Sequence, residues 1–405
     1  MKKIAVIGGG AAGFFAAIHA AYQNKTEVVL FEKSNKVLSK VRISGGGRCN
    51  VMHNCFDAAR LTEFYPRGKK ELRNAFARFY SQHTLEWFQS RGVKLKAEED
   101  GRMFPVTDDS ITIINCLMQE AAENNVEIKL QHDVDSIEKI KEHFEITFAD
   151  GRKSKFDKVI VTTGGNPQLK SYEWLTKLGH TIIPPVPSLF TFNIPLSPLK
   201  GLEGLSVQHA LVRIQDVKHE EKGPVLITHW GLSGPAVIKM SAWAARKLHE
   251  LNYETTAMIN WLPQHHAESA KTEIEKFKII FHNRKVSSNP VFELPQRLWE
   301  RLCELSTITD TDNYADLSKT KINKLSEMLT NMQLRLRGKT TYKEEFVTCG
   351  GIHLKEVDMI TMESKKVKGL FFAGEVLDID GVTGGFNFQA AWTTGYLAGV
   401  NAGLI

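Results

Sequence analysis

No apolar run in this sequence approaches the ~18 residues that a membrane-spanning helix needs, so no membrane partner is expected. Cysteine is scarce and odd in number. Cys49, Cys55, Cys116, Cys303 and Cys349 show no C-x-x-C spacing, which argues against a secreted disulfide framework and a structural zinc site. An excess of either charge is nearly absent too. Lys+Arg 52 against Asp+Glu 46 leaves +6 over 405 residues, and the basic runs (Lys69-Lys70, Lys153-Ser154-Lys155, Lys365-Lys366) are short. The reading is a solvated basic surface with no stable nucleic-acid partner, and the slight excess suits an anionic cofactor. Hydrophobic residues at 42% and charged residues at 24% exclude a disordered or fibrous chain. Lys2 and Lys3 before Ile4-Ala5-Val6-Ile7 look superficially like a leader, but Gly8-Gly9-Gly10 cut that apolar run short. A strand entering a glycine turn is expected instead, and with it a cytoplasmic protein.

What is present alternates strand and helix. Lys3–Ile7 reads as a strand, Ala11–Tyr22 as an alanine-rich helix and Glu27–Phe31 as a second strand, apolar throughout as in a buried parallel sheet. Leu72, Phe76, Phe79, His83 and Trp87 place one helix over 70–91, stopped by Gly92. Ser110 is set to cap a helix carrying Ile111, Ile114, Leu117 and Ala121, which Asn124-Asn125 end. Strand-like runs near 134–140, 143–149 and 156–162 follow, with Asp150-Gly151 as a hairpin signal between the last two. Prolines cluster after 184, and short strand-like runs extend to about 260. Residues 264–335 are polar and helix-prone, with Leu294, Leu298, Leu302 and Leu305 on one face, then Ile322, Leu325, Leu329 and Met332 on another. The pattern predicts a discontinuous α/β domain over 1–187 and 346–405. Its insertion is β-rich over 188–263 and 336–345 and helical over 264–335.

Three glycine clusters carry the chemistry. Gly8-Gly9-Gly10-Ala11-Ala12-Gly13 fits G-x-G-x-x-G between a strand and a helix, where backbone amides receive a pyrophosphate. Glu32 ends the next strand about 20 residues on, placed to accept from both ribose hydroxyls of an adenosine. A carboxylate there also repels a 2′-phosphate. Ser44-Gly45-Gly46-Gly47-Arg48-Cys49-Asn50 offers bare backbone amides to a flat ring or a phosphate, with Arg48 placed to neutralise an anion. Gly369-Leu370-Phe371-Phe372-Ala373-Gly374-Glu375 reads as a strand delivering Glu375 to polyol hydroxyls. Gly384-Gly385 then precedes a helix over 390–400 and aims amides at a site of developing negative charge.

These motifs, with Thr162-Thr163-Gly164-Gly165, THWGLSGPAV at 228–237 and Val347-Thr348-Cys349-Gly350-Gly351, resemble the BaiN/YhiN-like family of FAD-dependent oxidoreductases, which includes aminoacetone oxidase-like flavoproteins. The likeness runs over nearly the whole chain and is most specific at SGGGRCN and GEVLDIDGVTGG. It implies a glutathione-reductase-type Rossmann-like FAD domain with an inserted β-barrel-like and helical region. Carried over by motif, Gly8, Gly10 and Gly13 hold the pyrophosphate and Glu32 the adenosine ribose. Lys40, Ser44 and Gly45 lie near the flavin side, Gly374 and Glu375 near the ribityl chain, and Gly384, Gly385, Phe386, Asn387 and Phe388 near the isoalloxazine. Ala12, Lys33, Gly46, Arg48, Cys49, Asn50, Val134, Thr163, Gly164, Gly165 and Asp380 are further cofactor-binding candidates. Cys349 departs from the small residue common there, and Cys55 falls outside the motif.

The function expected is hydride transfer through flavin N5 to or from a small-molecule substrate, with NAD(P)H as a transient reductant because there is one dinucleotide fingerprint. The rivals are an oxygen-using oxidase of a small amine and a non-enzymatic flavoprotein, either a redox sensor or RNA-associated. No catalytic acid or base stands out, and no metal site is expected. Cys49 and Cys55, six apart against the five of flavin disulfide reductases, read as isolated thiols. Gly231-Leu232-Ser233-Gly234-Pro235 lacks the last glycine of a nucleophile elbow, with no strand–helix context evident. His265-His266 lacks a third ligand, and His229-Trp230 reads as a packed pair as readily as a substrate contact.

Overall fold

β1 (Lys2–Ile7) and β2 (Thr26–Phe31) are buried along most of their length, so their β-branched and aliphatic residues need cover on both faces. In the computed structural model, which describes residues 1–22, 26–338 and 347–404, they form the centre of a five-stranded parallel sheet. β3 (Glu127–Lys129) flanks β2. β4 (Lys158–Val161) flanks β1, and β5 (Leu370–Phe372) lies outside β4. Ile7 pairs with both Phe31 and Val161, and Val161 with Phe372. Four strands therefore end level, and the loops that leave them share one edge. In open α/β sheets that edge is where ligands bind.

α1 (Ala11–Ala21) is buried nearly all round. Its small residues admit α2 (Phe386–Gly403) at close range: a Cβ on Gly395 would lie 2.7 Å from the Ala12 carbonyl oxygen, and one on Gly399 would lie 2.4 Å from that of Ala16. Together these elements form a Rossmann-like α/β unit, Met1–Pro187 with Val347–Ile405.

Three local expectations fail here. The single helix over 70–91 is two, Lys69–Phe76 and Ser81–Gln89. The Phe79 carbonyl accepts from Thr393 Oγ1 at 3.0 Å, and extended Tyr80 donates its N–H to His83 Nδ1, so tertiary bonds replace helical ones. Ser110 precedes the helix Ile111–Glu123, but its hydroxyl donates to the Arg42 carbonyl, and Asp109 accepts the Ile111 N–H instead. The third strand-like run divides. Lys153–Phe156 closes an antiparallel meander with His143–Phe148 and Val134–Ile140, while β4 joins the main sheet.

The second unit is Ser188–Phe346. Six antiparallel strands follow the order Phe192–Asn193, Gly231–Ser233, Glu220–Thr228, Ser206–Ile214, Glu254–Asn260, Met332–Arg337. Asn193 Nδ2 donates to the Arg337 carbonyl at 2.9 Å, bringing the two edges together into a near-barrel. Met332, Leu334 and Leu336 point inward and alternate with exposed residues, so Met332 belongs to a strand rather than to the preceding helix face. Pro235–Glu250 is a helix inside the stretch read as strands, started by Pro235 at its first turn after Gly234. One core embraces barrel and helices, with Met240, Trp261, Trp299 and Leu325 among its buried members. Residues 339–345 of the expected β-rich stretch lie outside the described residues.

Candidate functional site

The first glycine turn is shaped by contacts close in sequence and by Thr162 of the neighbouring strand end, whose hydroxyl donates to the Gly8 carbonyl at 2.9 Å. The Gly8 N–H donates to the Phe31 carbonyl at 2.8 Å. A Cβ on Gly13 would lie 1.9 Å from the Gly8 carbonyl oxygen, so glycine is required for helix and strand to approach. At Gly10 a Cβ would meet nothing within 4 Å, so the turn opens there onto free space. α1 has no side-chain cap and no acidic residue in its first turn, which leaves backbone N–H groups for an anion. Glu32 Oε2 accepts the Gly9 N–H at 2.8 Å and Oε1 the Ser34 N–H at 2.9 Å. Both oxygens are thereby aimed, with lone pairs remaining for hydroxyl donors. The His132 N–H donates to the Glu32 carbonyl, which brings the segment leading to Val134 alongside; Lys33 is exposed.

Glu375 joins the next group. Its carboxylate takes Lys40 Nζ at 2.6 Å and the Gly165 N–H at 3.4 Å, and Gly164 lies beside it. Gly374 sits against Ala12, where a Cβ would come within 2.8 Å of the alanine methyl. The Ala12 turn, Lys40, Gly164-Gly165 and Gly374-Glu375 are therefore brought together, and exposed Thr163 lies with its backbone against Gly8. Gly45, Gly46 and Gly47 turn through three successive left-handed residues, and Cys49 is left-handed as well. Ser44 closes this loop: its hydroxyl donates to Val41 and its carbonyl accepts the Cys49 N–H. Arg48 does not face an anionic ligand. Its guanidinium meets Glu98 at 2.6 Å and Asp108 at 3.5 Å and lies over the Phe104 ring.

The third group is the turn ahead of α2. In the amide orientation that satisfies both neighbours, Asn50 Oδ1 accepts the Gly385 N–H at 3.0 Å and Nδ2 donates to the Met52 carbonyl at 3.1 Å. The Gly385 amide is thus used within the protein. α2 also lacks a side-chain cap and an acidic first turn, so the N–H groups of Phe386, Asn387 and Phe388 are the ones without an intrahelical acceptor. Several side chains expected at a ligand face inward instead. Phe386 is stacked between His53 and Phe64, with ring centroids 4.7 and 4.3 Å away. The Asn387 amide brackets Gly381, accepting its N–H and donating to its carbonyl. Asp380 is fully buried in an ion pair with Arg67. Phe388 lies parallel to Trp392.

Sequence reading missed Tyr65 and Arg67, which hold this turn, because each partner lies more than 300 residues away. The five cysteines are buried; burial pushes the Cys49 thiol up to about 12 and raises that of Cys55, so neither is held as a thiolate. Gly231–Ser233 does run as a strand into the helix Pro235–Glu250, correcting the missing elbow context, but it does so as one strand of the barrel. His266 caps the helix Ala267–Ile280 through Nδ1. Trp230 stays partly exposed. Among the described residues no group of His, Cys, Asp and Glu could hold a metal ion, and no helix is long and apolar enough to cross a membrane.

Taken together, the sheet edge offers the uncapped N-terminus of α1 and two aimed carboxylates, Glu32 and Glu375, and the uncapped N-terminus of α2 lies beyond it. That is the chemistry of an extended ligand carrying phosphates and hydroxyls. The chain is similar to a 3-dehydro-bile acid delta(4,6)-reductase from Clostridium scindens, 29% identical over 412 residues, covering 98% of each chain. It is also similar to a ribosomal RNA dihydrouridine synthase from Escherichia coli, 30% identical over 401 residues, covering 96% of this chain and 95% of that one. Among solved structures, a 3-ketosteroid-delta4-(5alpha)-dehydrogenase from Rhodococcus jostii shares the fold at 13% identity, with a TM-score of 0.52 over 100% of this chain and 97% of that one. The model of the HI0933-like protein Rossmann domain matches residues 2–401, and the chain belongs to that family.

Proposed function

We propose that this protein is an FAD-dependent oxidoreductase that reduces a carbon–carbon double bond conjugated to a carbonyl, drawing its electrons from NAD(P)H. The observation that supports this most is the convergence of the Gly8–Gly13 turn, Glu32, Lys40 and Glu375 at one edge of the sheet, with α2 running alongside α1 and starting about two turns beyond that edge, since its Gly395 is the residue that meets Ala12. In this reading Gly8, Gly10, Ala12 and Gly13 let the α1 amides take the pyrophosphate. Glu32, with Lys33 and Val134 alongside, takes the adenosine ribose. Lys40 and Glu375, with Gly164, Gly165 and Gly374, line the polyol, and the 44–50 loop flanks the ring. The N–H groups of Phe386, Asn387 and Phe388 stabilise negative charge where it gathers. Bound FAD supplies two-electron hydride chemistry at N5.

The two relatives point to one kind of bond. A delta(4,6)-reductase and a dihydrouridine synthase are both named for hydrogen added across a carbon–carbon double bond. In uracil that bond is conjugated to a carbonyl, as in an enone. NAD(P)H is oxidised, one carbon takes the hydride and its neighbour takes a proton. NAD(P)H docks transiently, since the chain has one dinucleotide fingerprint. The test is an anaerobic titration of the purified protein with NADH and NADPH, followed by a Δ4-3-ketosteroid or a uridine-containing RNA. Bleaching by NAD(P)H and recovery on adding the acceptor are expected. A colourless protein that takes up no FAD would end the reading, and recovery by oxygen alone would convert it to the oxidase.

RNA is the second reading for the substrate, favoured by the likeness to the dihydrouridine synthase. RNA then enters as a transient substrate rather than a stable partner. Dihydrouridine in nuclease digests of treated ribosomal RNA decides it.

A further inference from the structure

We infer that Tyr65 and Arg67 are positioning residues that set the electronic character of the α2 N-terminus; this rests on the FAD reading above. The segment carrying them is laced to the loop ahead of α2. Arg67 Nε donates to Asp380 Oδ1 at 2.5 Å and a second guanidinium nitrogen bonds Oδ2, with Asp380 fully buried. The same two residues form a backbone bridge, and the Val382 N–H donates to the Phe64 carbonyl at 2.9 Å. The Tyr65 hydroxyl, itself fully buried, donates to the Phe386 carbonyl at 2.7 Å.

That last bond has an electronic consequence. The Phe386 carbonyl and the Asn387 N–H belong to one peptide group. A donor on the carbonyl oxygen polarises the group and makes its N–H a stronger donor, by roughly 10–30% per bond in condensed phase. Tyr65 therefore strengthens an amide that faces the ligand while touching no ligand itself. The Arg67–Asp380 pair fixes where that amide points. A buried pair adds little net stability over a well-packed apolar one, and geometric specificity is the better-attested use of such pairs. Its place on the loop that launches α2 gives that specificity an object.

The test uses the full-length holoprotein and reads the midpoint potential and affinity of bound FAD beside thermal stability. Tyr65→Phe removes only the hydroxyl. It is expected to bind FAD at unit stoichiometry and to weaken binding of reduced relative to oxidised cofactor about threefold, a fall of about 14 mV for a two-electron couple. The double variant Arg67→Met with Asp380→Leu leaves no buried charge. It is expected to weaken reduced relative to oxidised binding about tenfold, a fall of about 30 mV. If the double variant fails to fold, Tyr65→Phe decides alone. Wild-type potential in Tyr65→Phe, whatever its melting temperature, overturns the inference and leaves the FAD reading standing. A wild-type chain that binds no FAD overturns both.

Discussion

Two helices run side by side, α1 from the edge of the parallel sheet and α2 from a turn beyond it, and their starts are held in different ways. α1 leaves a turn fixed mainly by near neighbours in sequence, β1 directly before it, the Gly8 carbonyl against Gly13 and Glu32 on the Gly9 N–H, with the Thr162 hydroxyl added on the Gly8 carbonyl from the next strand of the sheet. α2 leaves a turn fixed from far along the chain, by Asn50 on Gly385, Tyr65 on Phe386 and Arg67 on Asp380. The first turn is a cradle of backbone, and any change to it is a steric change. The second rests in part on Tyr65 and Arg67, buried side chains behind the turn, so its geometry and polarity are adjustable without changing the residues of the turn itself. In the proposed reading, holding the dinucleotide and tuning its reactive end fall to separate sets of residues.

Gly13→Val strikes the first turn hardest. Overpacking costs about 1–3 kcal/mol, and a Cβ at 1.9 Å from a backbone oxygen sits at the top of that range. The variant is expected to purify without FAD and to melt lower than the wild type. Gly385→Val strikes the second. Its φ of 92° disfavours a β-branched residue, and the new Cβ would lie 2.4 Å from the Met52 carbonyl carbon. At about 2 kcal/mol of backbone strain, FAD affinity falls roughly thirtyfold, and potentiometry on the retained flavin shows a lower potential. Loss of affinity with a wild-type potential would erase the proposed division of labour.

Glu32→Ala is milder. It removes charge-assisted hydrogen bonds of ~1.5–3 kcal/mol each and frees the Gly9 N–H. Affinity by equilibrium titration falls at least about tenfold, while the potential stays, because the change is at the adenosine end. Cys55→Ser has the smallest effect. Cys55 lies in the stretch that joins Asn50 to Tyr65, and its thiol donates to the Asp57 carbonyl. Turnover with NAD(P)H should hold to within a few-fold. A variant whose flavin is reduced but cannot pass electrons on would make that stretch a relay rather than a support.

The first turn was legible because its signals are local. A strand, three glycines at fixed offsets and an acid at the end of the next strand are all within reach of one another along the chain. The family that the motifs resemble agrees with the family model that matches. Of the second turn, spacing revealed the glycines and the helix but not the direction of the side chains. Phe386 and Asn387 look the same in sequence whether they meet a ligand or, as here, fill the core and bracket Gly381. Arg48 misled because a basic residue among glycines suits an anion equally well whether that anion is a ligand or Glu98. The break at 77–80 and the helix Pro235–Glu250 were hidden because the Thr393 hydroxyl and the barrel context that shape them are remote.

The order of strands in the sheet also bears on how the chain is made. β4 ends at Val161 and its neighbour β5 begins at Leu370, with the whole of Ser188–Phe346 between them. At roughly 5–20 residues per second, synthesis of that interval takes roughly ten to forty seconds. Throughout it, the α1 surface destined for Gly395 and Gly399 has no partner, and Phe15, which Trp87 can already meet, lacks the Trp392 ring on its other side. The nascent amino-terminal segment therefore waits in an adhesive state, while Ser188–Phe346, contiguous in sequence and with its own core, is free to fold first. Limited proteolysis of ribosome-stalled chains is expected to cut α1 until residues beyond 403 have emerged, with 188–338 already protected.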